Sequence, residues 1–173
     1  MIATQTLVVE KRLEEIFCYL PEMTSLSGGT NHPVRFGYGD KKELNSFLKN
    51  RSLDKVYPLI WLLYPYTENH SNTDVEVTNA TFILAMSTNA QMENKERIEK
   101  TFGKVLLPLF YNMRYVFQNA NILSSNQNYE VIKHPNYSDS DLKEKNAGAF
   151  IWDALSVTCD FTLIATCLRK IKF

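Results

Sequence analysis

The chain closes on FIWDALSVTCDFTLIATCLRKIKF, and this ending constrains the fold more than any other stretch. From Leu155 to Leu163 the odd positions are Leu155, Val157, Cys159, Phe161 and Leu163, while the even ones are Ser156, Thr158, Asp160 and Thr162. Alternation of apolar and polar residues puts each kind on its own face of an extended chain, so it predicts a strand with one side on a core. The pattern carries that strand over Ile151 to Cys167, well beyond the usual length of about five or six residues. A strand so long needs something equally long to pair with.

A chain of 173 residues suits one domain, residues 1–173, which buries roughly 70% of the surface its unfolded form exposes. Lys plus Arg and Asp plus Glu both number 19, so no overall charge draws it to nucleic acid or to an anionic membrane. The start, MIATQTLVVEKRLEEIFCYL, lacks the basic opening and unbroken apolar run of a secretion signal, and no later stretch reaches the roughly 18 apolar residues of a membrane span. The expectation is a protein made and kept in the cytosol. Cys159 and Cys167 on one strand would lie about 26 Å apart, whereas a disulfide needs Cα atoms within about 7 Å. Free, buried thiols in a reducing compartment are therefore expected.

Upstream, Val9, Leu13, Ile16, Phe17 and Leu20 recur at helical spacing between Leu7 and Leu20, and Pro21 ends the pattern. Glu22 to His32, with Ser27-Gly28-Gly29, suits a loop, and Val34, Phe36 and Tyr38 alternate as a short strand. Asp40 followed by Glu43 has the spacing of a capping box, opening a short helix that carries Leu44, Phe47 and Leu48. VYPLIWLLYP is apolar without alternation, as expected of a central strand buried on both faces. After the polar loop TENHSNTD, the apolar phase changes from odd at Val75 and Val77 to even at Ala80, Phe82, Leu84 and Met86, which predicts a β-bulge near Asn79. Glu93 to Gln118 is the clearest helix, with Ile98, Phe102, Val105, Leu106, Leu109, Phe110, Met113, Val116 and Phe117 on one stripe. Glu93 with Arg97 and Glu96 with Lys100 form i,i+4 pairs on its outer face. The stripe keeps its phase across Pro108, so a kinked helix is expected there. Asn119 to Asn128 suits a loop, Tyr129 to His134 a strand, and PNYSDSDLKEKNAG a second, charged loop.

Chemistry is thinly marked. His32, His70 and His134 are solitary, and no cysteine pair has metal-ligand spacing. In GYGDKK, Lys42 stands where a dinucleotide fingerprint needs its third glycine, so a turn after a strand is the expectation. No Gly-x-Ser-x-Gly occurs, and Cys18 is expected to pack beside Phe17 rather than react. Arg169, Lys170 and Lys172 form the one basic cluster, which suits a solubilising edge better than a nucleic-acid interface.

The order of helix, strand, short helix, apolar strand, bulged strand, long helix with an internal LPLF, strand and long C-terminal strand resembles the tail-terminator and tail-completion proteins of tailed bacteriophages, the minor tail protein U type. The YPLIWLL and IWDALSVTCDFTL stretches are similar to versions from phages of Bacteroidetes hosts. The resemblance implies an α+β fold, a mostly antiparallel sheet with two main amphipathic helices packed on one face and a long C-terminal strand. It implies a virion structural protein without catalysis or cofactor, forming a homo-oligomeric ring in the neck or head-to-tail connector. Implied partners are other neck, portal or tail proteins, with non-specific contact to genomic DNA in the ring lumen and none to membrane. The protein would be made in the host bacterial cytoplasm and end in the virion. A neighbouring copy would then supply what the long ending needs, contacted through Ala165, Thr166, Cys167, Leu168, Arg169 and Lys170.

Two other readings stay open: a non-viral, dimeric interaction module whose last strand is a hairpin arm, and an enzyme whose site is assembled from separate loops. Under all three the expected core is Val9, Leu13, Ile16, Leu20, Leu59, Trp61, Leu63, Phe82, Leu84, Phe102, Leu106, Leu109, Phe110, Leu155, Val157, Phe161 and Leu163.

Overall fold

Long strands organise the chain in the computed structural model, which describes residues 7–24, 31–49, 58–71, 73–88, 91–137 and 151–172. In order they form α1 (Val9–Phe17), β1 (Met23–Thr24), β2 (Asn31–His32), β3 (Arg35–Gly39), α2 (Lys41–Lys49), β4 (Leu59–Leu63), β5 (Thr67–His70), β6 (Asp74–Thr88), α3 (Asn94–Arg97), a π-helical stretch (Ile98–Leu106), α4 (Leu107–Asn119), β7 (Leu123–His134) and β8 (Ile151–Ile164). β1 and β2 pair by themselves, and the other six strands form one sheet in the order β3-β4-β6-β8-β7, with β5 also on β6. Every pair is antiparallel except β3 with β4. The fold is α+β, as expected. No helix among the described residues is long and apolar enough to cross a membrane.

The long ending finds its partners inside the chain, which corrects the expectation that a neighbouring copy supplies what it needs. β8 lies between the 15-residue β6 and the 12-residue β7. It stops at Ile164 rather than Cys167. Its odd residues, Leu155 to Leu163, sit in register with Leu84, Phe82, Ala80, Val77 and Val75 of β6, all buried. The phase change in β6 is a bulge between Val77 and Ala80, where Asn79 takes φ 58° and its N–H donates to Asp160 Oδ1 at 2.8 Å.

α1 and α4 cover this apolar face. Phe17 meets Phe82 edge-on at 6.0 Å between centroids and stacks on Phe117 at 5.6 Å, and Phe117 reaches Phe161 at 5.7 Å. On the other face α2 covers only the β3–β4 end, through Phe47 against Trp61 at 5.1 Å. β4 is thus buried on both faces as expected, although it lies next to an edge rather than at the centre. The capping box forms: Glu43 N–H donates to Asp40 Oδ1 at 2.7 Å and Asp40 N–H to Glu43 Oε2 at 2.9 Å. Of the expected core, only Leu20 and Leu63 are partly rather than fully buried.

The helix predicted from Glu93 to Gln118 runs over 94–119 without breaking, but through π turns rather than a simple kink. Pro108 has no N–H and its ring crowds the turn before it. The wider turns just upstream, where Leu107 N–H reaches back to the Phe102 carbonyl, accommodate it. They also shift the helix phase. Ile98, expected on the stripe, is exposed, and Arg97 and Thr101 point inward instead.

Three stretches expected as loops contain strands: Glu22 to His32 carries the separate β1–β2 pair, and the other two belong to the main sheet. TENHSNTD contains β5, and Asn119 to Asn128 contains the end of α4 and the start of β7, whose pairing with β8 is interrupted between Ser125 and Tyr129. Both lie at sheet edges, where solvent accepts polar side chains and pairing comes from the neighbour's backbone. Hydrophobic periodicity therefore does not mark them. The Ser27–Gly29 turn, Val56 and Tyr57 of the apolar run, and 138–148 of the charged loop lie outside the described residues.

Candidate assembly surface

The residues expected to contact a neighbour follow β8 as a tail held on its own domain. Ala165, Thr166, Cys167, Arg169 and Lys170 are exposed, and Leu168 is half-buried. Thr166 N–H donates to the Ile164 carbonyl at 2.8 Å. The Asn121 side chain then clamps the tail, donating to the Cys167 carbonyl at 2.9 Å and accepting from Arg169 N–H at 2.7 Å. Tyr115 hydroxyl donates to the Lys172 carbonyl at 2.8 Å, and Ile171 is buried. The tail presents side chains, but its backbone is tied down.

At one end of the sheet, α1 and the β4–β5 connection build an acidic aromatic cluster. Glu10 Oε1 accepts from the hydroxyls of Tyr64 at 2.5 Å and Tyr66 at 2.6 Å. Tyr38 and Tyr66 flank the Tyr64 ring at 6.3 and 5.6 Å. Burial pushes the Glu10 carboxyl up, but the two tyrosine hydrogen bonds and one from its own backbone N–H together outweigh it and hold the group below its ordinary value. Both tyrosines are pushed well above theirs by burial and then by the carboxylate they bond. None of the three is poised to move a proton near neutral pH.

At the other end, α4 lays Arg114 across β7. Its guanidinium carbon stands 5.4 Å from the Tyr129 ring centroid and 5.8 Å from that of Phe110. Its Nε is buried with no hydrogen-bond partner, and no carboxylate among the described residues pairs with it. Lys133 Nζ sits 5.8 Å over Phe102 further along the same side of β7. A guanidinium stacked on rings without a carboxylate partner among the described residues is well placed to meet one.

A third polar cluster is built on the buried side chains of Arg97, Thr88 and Asp153. Arg97, 1% exposed, donates through Nη1 to Asp153 Oδ1 at 2.9 Å and to Thr88 Oγ1 at 2.7 Å, and through Nε to the Met92 carbonyl at 3.0 Å. Asn136 N–H also donates to Asp153 Oδ1 at 3.1 Å, while Asp153 Oδ2 is buried without a hydrogen-bond partner. This corrects the expectation of Arg97 as an outer-face partner of Glu93. The signal was present: Asp153 occupies an odd, core-facing position of β8.

Among the described residues no group of three metal-ligating side chains comes together. His70 Nε2 lies 2.8 Å from Glu68 Oε2 on the surface, and half-buried His134 packs on Tyr137, its pKa pushed down by burial. Cys159 is buried and its thiol is pushed up to about 12, by burial and then by Asp160. Cys18 and Cys167 are exposed, contrary to the expectation that all the thiols are buried. GYGDKK is no phosphate loop. Gly37 and Gly39 clear space for Trp61, whose indole N–H donates to the Gly39 carbonyl at 3.1 Å. Compared with known proteins, the chain matches no family model and no curated protein sequence.

Proposed function

We propose that the chain is a non-catalytic structural subunit of a tailed-phage virion, forming a homo-oligomeric ring of the neck or head-to-tail connector in a tail-terminator or tail-completion role. The observation that supports this is a deep sheet that, among the described residues, is open at both ends. Among the described residues β7 is hydrogen-bonded to a strand on one side only, and so are β3 and β5 at the opposite end. Open edges are donors of backbone hydrogen bonds to another chain. Two different edges on one subunit favour head-to-tail contacts, which close into a ring when the rotation allows. The order of elements that resembles the phage proteins supports the same reading, with assembly in the host cytoplasm, other neck, portal or tail proteins as neighbours, and genomic DNA passing through the lumen.

Light scattering of the purified full chain, followed by electron microscopy, tests this. A closed ring of several copies is the expected result. A monomer at all concentrations would overturn it, and a dimer that stops at two would turn the reading to an interaction module.

A further inference from the structure

The two polar aromatic clusters at the ends of the sheet match one another in position as well as in charge. Tyr129 of β7 pairs with Cys159, which pairs with Ala80 of β6. On the far side of β6, Thr81 pairs with Leu63, the last residue of β4, and Thr78 with Thr67, the first of β5. Ala80 lies between them, so the connection carrying Tyr64 and Tyr66 is level with Tyr129. Both clusters also lie on the helix-covered face: Arg114 projects from α4 and Glu10 from α1.

Strand direction agrees. β7 is antiparallel to β8 and β8 to β6, so β7 runs with β6. β5 runs against β6, and so does β3, through its parallel pairing with antiparallel β4. Copies set side by side in one orientation therefore bring antiparallel edges together, the arrangement that pairs best.

We propose that neighbouring copies join edge to edge, with Arg114 of one copy, seated on Tyr129, meeting Glu10 and its tyrosines in the next. This rests on the ring reading and names the contact within it. Arg114 brings a cation with no carboxylate partner among the described residues, and Glu10 a carboxylate whose Oε2 receives neither tyrosine hydroxyl. Each carries its own aromatic packing, the composition typical of residues that dominate an interface. Pairing such charges in register selects this partner edge over others.

The test uses the full chain, with light scattering and electron microscopy for assembly and circular dichroism melts for folding. Arg114→Glu and Glu10→Lys should each remain folded and weaken association by at least about 30-fold, as expected when one partner of a desolvated charge pair is removed. The double variant, with the charges exchanged, should regain rings. Glu10→Gln, which can still accept the tyrosine hydrogen bonds, should weaken assembly without loss of fold, and so covers the case in which Glu10→Lys does not fold. Arg114→Glu assembling like the unaltered chain, or a double variant no better than the singles, would overturn the contact while leaving the ring standing. An unaltered chain that never assembles would instead overturn the ring reading itself.

Discussion

At the scale of single residues, the strongest dependence is on Asp153. Its partner Arg97 has no access to water, so Asp153→Ala should cost about 3–5 kcal/mol, whereas replacing the pair together, Arg97→Met with Asp153→Leu, should cost far less. Urea titrations of the three variants measure this. A Cβ at Gly37 would lie 2.7 Å from the Trp61 ring, so Gly37→Ala should lose about 1–3 kcal/mol by overpacking and alter Trp61 fluorescence. Glu10 sets an acid limit. Its carboxyl is held below its ordinary value in the folded chain, so it contributes stability above the unfolded pKa of about 4.3 and loses it as pH falls through the lower folded value. Glu10→Gln should therefore melt below the unaltered protein at pH 7, and the gap should narrow below about pH 4.

At the scale of elements, legibility followed burial. The final strand, the bulge near Asn79 and the capping box at Asp40 could all be seen beforehand, because each leaves a periodic or fixed-spacing trace in the residues. Asn79 at φ 58° makes the bulge testable: Asn79→Gly should be nearly neutral, while a β-branched Asn79→Val should cost about 1–3 kcal/mol in a denaturant titration. Tyr129 to His134 of β7 was legible as a strand, but β5 and the first half of β7 left no such trace, because polar residues facing water look the same in a strand as in a loop. Ile98 failed for another reason, since π turns do not keep the α-helical period on which the stripe was counted. The Arg114 and Glu10 clusters were illegible, as each joins residues that only the fold brings together.

At the scale of the whole molecule, the tail after Ile164 is an accessory to the domain rather than part of its sheet. Truncation after Ile164 removes buried Ile171 and the Asn121 clamp but none of β8, so the chain should still fold, with a lower melting temperature. Hydrogen exchange should be slowest in β8, which is flanked on both sides along most of its length. That interior position has a consequence for biosynthesis. β8 is the last strand in chain order, yet it is the one that joins β6 to β7. While the nascent chain stops short of residue 151, β6 and β7 have no shared neighbour, and each exposes a long open edge. Much of the sheet must therefore wait until β8 has been made, and chains stalled on the ribosome before β8 should need chaperone protection that chains extended past it do not.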